Sequence, residues 1–81
     1  MNKEDVFQRV QNVFDKIFLE PVKVTPDLSA NDVDEWDSLI QISLIVAIEK
    51  EFSIRFRTGE VETTANVGEF ADLILKKINE F

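Results

Sequence analysis

The chain has 81 residues, no cysteine and no histidine, and carries sixteen acidic against nine basic side chains, a net charge of −7. This length supports one core, hence a single domain over 1–81, burying only about 60% of its unfolded surface. The acidity excludes a phosphate-binding footprint on nucleic acid, and no apolar run approaches the ~20 residues of a membrane span. Without thiol or imidazole there is no disulfide framework, no ordinary zinc site and neither of the side chains most used in nucleophilic and acid–base catalysis, so an enzyme is not expected.

The predicted elements begin with a helix. Val6, Phe7, Val10, Val13, Phe14, Ile17 and Phe18 recur every three or four residues, the spacing of one helical face. Asn2 is placed to cap it, Glu4 and Asp5 suit the positive end of its dipole, and Pro21 stops it by about Leu19–Glu20. Residues 21–37 form a long connection with two prolines, and the scattered Val22, Val24, Leu28 and Val33 imply that it is pinned to a core. Five acidic residues and no base fall within 24–37, so most of the net charge sits on this loop.

A second helix runs from Ser38 to about Phe52. Its apolar residues cover most of the circumference and leave a mild arc near Ser43, Ala47, Lys50 and Glu51. So apolar a helix is central in a small domain, with apolar surface left over for a partner. Thr58-Gly59 reads as a turn and Glu60–Thr64 as one short helical turn. Asn66 and Glu69 match a capping box that opens a last helix, with Val67, Phe70, Ala71, Ile74 and Ile78 on its apolar face and Leu73 and Phe81 flanking. Lys76 and Lys77 suit its negative end. The fold class is all-α, a small four-helix bundle of three main helices and one short one.

The one constellation suited to chemistry is Glu35-Trp36-Asp37-Ser38-Leu39, where the acidic loop meets the most apolar helix. Two local readings stand for it: Ser38 with Gln41 satisfies a capping box, and Asp37 caps equally well. Asp32, Asp34 and Asp37 lie close together, but an EF-hand starting at Asp32 needs Gly at position 37 and Glu at 43, where Asp and Ser stand. Loose divalent binding by the loop stays open, and no metal site is assigned.

The whole arrangement resembles the acyl carrier protein family: a helix, a long loop, Asp37-Ser38-Leu39 opening an apolar helix with Leu44, Ala47, Ile48, Glu49, Glu51 and Phe52, a short helix, and a tail Val67-Gly68-Glu69-Phe70-Ala71-Asp72-Leu73-Ile74. The resemblance implies that Ser38 is esterified with 4′-phosphopantetheine, delivered from coenzyme A by a separate Mg²⁺-dependent phosphopantetheinyl transferase, and that the thiol of this arm holds acyl or aminoacyl groups as thioesters for lipid or secondary-metabolite synthesis. Cytoplasmic residence is the default and a monomer is expected; the resemblance implies loading by a ligase and service by synthases or transferases. Asp37 and Leu39 belong to the recognition motif in this reading. Trp36, Ile40, Glu49 and Glu51 are candidate partner contacts, with anchoring of the loop the alternative for Trp36 and an ordinary solvated face for the two glutamates. The Phe-rich interior is core first, and lines a tethered chain only if the resemblance holds.

The sequence departs from carriers of the general fatty acid synthase in having Ile40 and Gln41 directly after the motif, Ser43 beyond, Lys50 between Glu49 and Glu51, and Trp36 in place of a small or aliphatic residue. A discrete carrier with a specialised cargo is expected. The rival reading is an acidic helical interaction module in which Ser38 is only a helix cap.

Overall fold

The computed structural model describes residues 1–57 and 59–79. Among them are three α-helices, α1 (Lys3–Ile17), α2 (Ser38–Phe52) and α3 (Val67–Ile78), two single 3₁₀ turns at Ala30–Asp32 and Val61–Thr63, and no strand. Helix α1 packs against both α2 and α3. The turn at 61–63 is the short helix expected from sequence, whereas the one at 30–32 carries no apolar periodicity and had no signal. Thr58 of the expected Thr58-Gly59 turn and Phe81 lie outside the described residues.

Helix α1 starts as expected and stops early. Asn2 Oδ1 accepts from the Asp5 amide at 2.9 Å, and Asp5 returns a bond to the Asn2 amide at 3.2 Å, a reciprocal capping box. The helix ends at Ile17 rather than Leu19–Glu20, because Phe18 turns to extended backbone (φ −87°, ψ 138°). That turn keeps Phe18 buried, with its ring 5.1 Å from Phe14 and 5.7 Å from Trp36. Pro21 restricts only the residue before it, so tertiary packing of Phe18 sets the end.

The core gathers one face of each helix: Val6, Val10, Val13 and Phe14 from α1, Leu44, Ile48 and Phe52 from α2, and Val67, Phe70, Ala71 and Ile74 from α3. Each large side chain among them contributes roughly 1.5–3 kcal/mol by leaving water. Two of the four residues of the mild arc expected on α2, Ser43 and Lys50, are exposed. Ala47 and Glu51 are half-buried, and the exposed arc runs through Leu39, Ile42, Ser43, Val46 and Lys50.

The long connection is tied down at three places. Gln11 on α1 acts as a clamp, donating from Nε2 to the Val22 carbonyl and accepting at Oε1 from the Val24 amide, both at 2.8 Å. The first amides of α3 then hold the next stretch: Val67 donates to the Leu28 carbonyl and Gly68 to the Pro26 carbonyl, again at 2.8 Å. These are helix N-terminal donors that lack intrahelical acceptors, so the loop carbonyls satisfy them. Third, the Glu35 carboxylate accepts from the Leu19 amide at 2.9 Å and the Glu20 amide at 3.4 Å, joining the far end of the loop to the end of α1. Half-buried Val22, Val24, Leu28 and Val33 pack on the core between these ties.

The start of α3 corrects a detail. Asn66 Oδ1 accepts from the Glu69 amide as expected, but Glu69 Oε1 reaches the Ala65 amide instead of that of Asn66, so the box is not reciprocal. At the other end Lys77 is buried and its Nζ lies 2.6 Å from Glu60 Oε1. That oxygen also accepts from the Arg57 amide at 2.6 Å. Lys77 and the Arg57 amide together hold the Glu60 carboxyl below its ordinary value. The pair fastens the chain just before the 61–63 turn to the last turn of α3.

Two predictions follow from these ties. Gly→Ala inside a helix ordinarily adds about 1 kcal/mol of stability. A Cβ on Gly68, however, would sit 2.8 Å from the Pro26 carbonyl oxygen. Gly68→Ala therefore destabilises the fold by about 1–3 kcal/mol in urea unfolding, because backbone must move to admit the methyl. Glu60 titrates at lower pH folded than unfolded, so its contribution is complete above its ordinary value of 4.5 and is lost as pH falls through the depressed folded value. Urea midpoints measured from pH 7 to pH 3 will fall less steeply below 4.5 for Glu60→Gln than for the wild type.

Candidate functional site

The site is assembled where the pinned loop meets α2. Trp36 is half-buried, with its indole edge-on to Phe14 at 5.3 Å and to Phe18 at 5.7 Å. Its Nε1–H donates to Gln41 Oε1 on the first turns of α2. These contacts tie Trp36, and with it the end of the loop, to α1 and α2. One residue on, the Asp37 backbone is extended (φ −102°, ψ −174°), and its Oδ1 accepts from the Ile40 amide at 2.9 Å. Its carbonyl accepts from the Gln41 amide at 2.9 Å. Asp37 is thus the N-cap of α2, worth about 1 kcal/mol.

Ser38 is consequently the first residue inside the helix and caps nothing. The expected Ser38–Gln41 box is absent because Asp37 holds the cap and Gln41 is engaged by the indole. Ser38 is exposed, and among the described residues its hydroxyl makes no hydrogen bond. With the Ile40 and Gln41 amides occupied by Asp37, the amides of Ser38 and Leu39 remain without intrahelical acceptors at the positive end of the dipole. An exposed hydroxyl beside such donors suits a phosphate ester.

The other candidates divide by exposure. Leu39 is 73% exposed, and Ile42 at 62% and Val46 at 45% continue it as an apolar stripe along the outer face of α2. Ile40 is half-buried against the core. Glu49 Oε2 accepts from the Phe56 amide at 2.9 Å, and Glu51 lies 3.6 Å from Arg9 Nε. Both carboxylates therefore have intramolecular partners, which sequence could not show because Phe56 and Arg9 are remote along the chain. Ile42 and Val46 were missed as individual residues, since counting apolar positions cannot say which of them a neighbour covers.

The acidic loop is less free than its composition suggests. Glu35 ties off α1, Asp37 caps α2, and Asp32 Oδ2 accepts from the Ser29 amide at 3.0 Å. Among the described residues no three acidic side chains converge on a metal-sized point. No helix among them is long and apolar enough to cross a membrane.

A partly open pocket of about 200 Å³ lies between the loop, the first half of α2 and the start of α3. Leu28, Trp36, Leu44, Val61, Val67 and Phe70 supply its apolar walls, and Gln41, one turn along α2 from Ser38, lies at its side. Sequence reasoning placed none of these together as a cavity, because the 61–67 segment that closes it is positioned by Glu60–Lys77 and by Asn66.

No protein-family model matches the chain. Curated relatives do: an acyl carrier protein of Guillardia theta is 31% identical over 80 residues, covering 96% of this chain and 98% of the relative. One of Cyanidium caldarium is 34% identical over 82 aligned positions, covering 98% and 93%. A putative mitochondrial acyl carrier protein of Schizosaccharomyces pombe is 39% identical over 69 residues, 84% of this chain and 60% of that one. Among solved structures, a holo acyl carrier protein from Geobacter metallireducens is 37% identical with a TM-score of 0.76, covering 96% of this chain and 86% of the other. Helical architecture, full-length similarity and an exposed serine at the head of α2 agree: the chain belongs to the acyl carrier protein family, a carrier and not a catalyst.

Proposed function

We propose that Ser38 is the attachment point for 4′-phosphopantetheine and that this chain carries acyl or aminoacyl groups on it. The observation that supports the reading most is the division of labour at the start of α2: Asp37 caps the helix, which leaves the Ser38 hydroxyl exposed and unbonded. When bound, the arm supplies the thiol that this cysteine-free chain lacks. For attachment, Ser38 Oγ attacks the pantetheine-bearing phosphorus of coenzyme A. The pyrophosphate P–O bond breaks, 3′-phosphoadenosine 5′-phosphate departs, and the serine proton passes to a base of the transferase. Ser38 needs no base of its own for this.

Asp37 keeps α2 open at its first turn, and the free amides of Ser38 and Leu39 face the charge of the phosphodiester. Leu39, Ile42 and Val46 give the transferase and the acyl-handling enzymes an apolar strip beside the arm. The exposed acids Asp34 and Asp37 steer basic enzyme surfaces toward the serine. Because the rest of that strip is apolar and ends at Lys50, the reading favours a specialised set of partners over those of the general fatty acid synthase. The same reading takes residues 1–81 as one carrier domain, monomeric and placed in the cytoplasm.

Incubation of apo-protein with coenzyme A, Mg²⁺ and a broad-specificity phosphopantetheinyl transferase tests the reading by intact mass. The wild type gains one phosphopantetheine and Ser38→Ala gains none while remaining folded, since it gives up no cap. An unchanged wild-type mass contradicts the proposal.

A further inference from the structure

We infer that Trp36 sets the length of the carried chain and limits it to short or medium acyl groups; this rests on the carrier reading above. The tethered group needs an apolar refuge from water, and the pocket beside Gln41 has mainly apolar walls, with a few polar groups at its side. Its volume is about 200 Å³. A dry cavity of about 150 Å³ holds one benzene, so this pocket takes a chain of roughly six to eight carbons.

Trp36 determines where that space ends. The indole lines the pocket on one side and meets the rings of Phe14 and Phe18 on the other. It therefore stands between the pocket and the aromatic part of the core. It is also fixed, because two ring contacts and the bond from Nε1 to Gln41 Oε1 hold it on three sides. Swinging it aside breaks that hydrogen bond and both edge-on contacts, each ring contact being worth about 0.5–1.5 kcal/mol. A longer chain cannot recover this by entering a space the indole fills. A smaller residue at 36 would join the pocket to the volume in front of Phe14 and Phe18.

The test loads the apo-protein from butanoyl-, hexanoyl-, octanoyl-, dodecanoyl- and hexadecanoyl-coenzyme A with the same transferase. The melting temperature of each product is compared with that of the unacylated holo-protein. For the wild type, Tm rises from butanoyl to octanoyl by about 4–8 °C and gains nothing further to hexadecanoyl. In Trp36→Leu the rise continues to dodecanoyl. Trp36→Phe, which keeps an aromatic edge toward Phe14 and Phe18, shows the same extension in smaller measure and serves if the leucine variant does not fold. A wild-type Tm that climbs steadily to hexadecanoyl overturns the inference, and so does a profile that neither variant changes. Absence of any mass gain from coenzyme A itself overturns the carrier reading as well, which separates the two failures.

Discussion

The seat of Trp36 is the contact on which the rest of the site depends. Its indole rests on Phe14 and Phe18 at the end of α1 and is held to α2 through Gln41. One residue before it, Glu35 ties the loop to the amides of Leu19 and Glu20. One residue after it, Asp37 caps α2. Three successive side chains thus convert the end of the long connection between α1 and α2 into a fixed platform, and Ser38 stands on its edge. A loop of that length would ordinarily be too mobile to present a hydroxyl in one place. Here the Gln11 clamp and the amides of α3 remove the remaining freedom.

The same packing explains how an acidic approach coexists with a modest core. Of the five acids in the loop, Glu35, Asp37 and Asp32 spend their charge on backbone amides, and Asp27 accepts from the Thr25 hydroxyl at 2.9 Å. Amide donors stabilise carboxylates locally, so the segment does not depend on a counter-ion to fold. The charge that composition concentrates on this loop is therefore structural: it ties the loop to the helix ends.

Much of the fold was legible because its signals are local. The 3.6-residue periodicity of α1 and α3, the Asn2 and Asn66 caps and the Asp37–Ser38 boundary all survive in the structure. What was hidden depends on residues far apart in the chain. Phe18 leaves α1 early to meet Trp36, Gln41 bonds to an indole rather than to a backbone amide, and Glu49 and Glu51 turn inward to Phe56 and Arg9. Helix α2 defeated the pattern for a different reason: with apolar side chains on nearly every face, periodicity has no minimum to mark the outside, so the exposed stripe of Leu39, Ile42 and Val46 emerged only with the neighbours in place. The pocket likewise needed the Glu60–Lys77 tie to bring Val61 opposite Leu44.

The central claim is that geometry, and not merely the presence of a hydroxyl, selects Ser38. The chain offers four serines, at 29, 38, 43 and 53, and Ser43 and Ser53 are exposed as well. Only Ser38 stands at the open head of a long helix beside a bonded cap and free amides. Fragmentation mass spectrometry of the transferase product tests this most directly, by reading which serine carries the phosphodiester. The account predicts that all of the added mass resides on Ser38; modification of Ser29, Ser43 or Ser53 would contradict it.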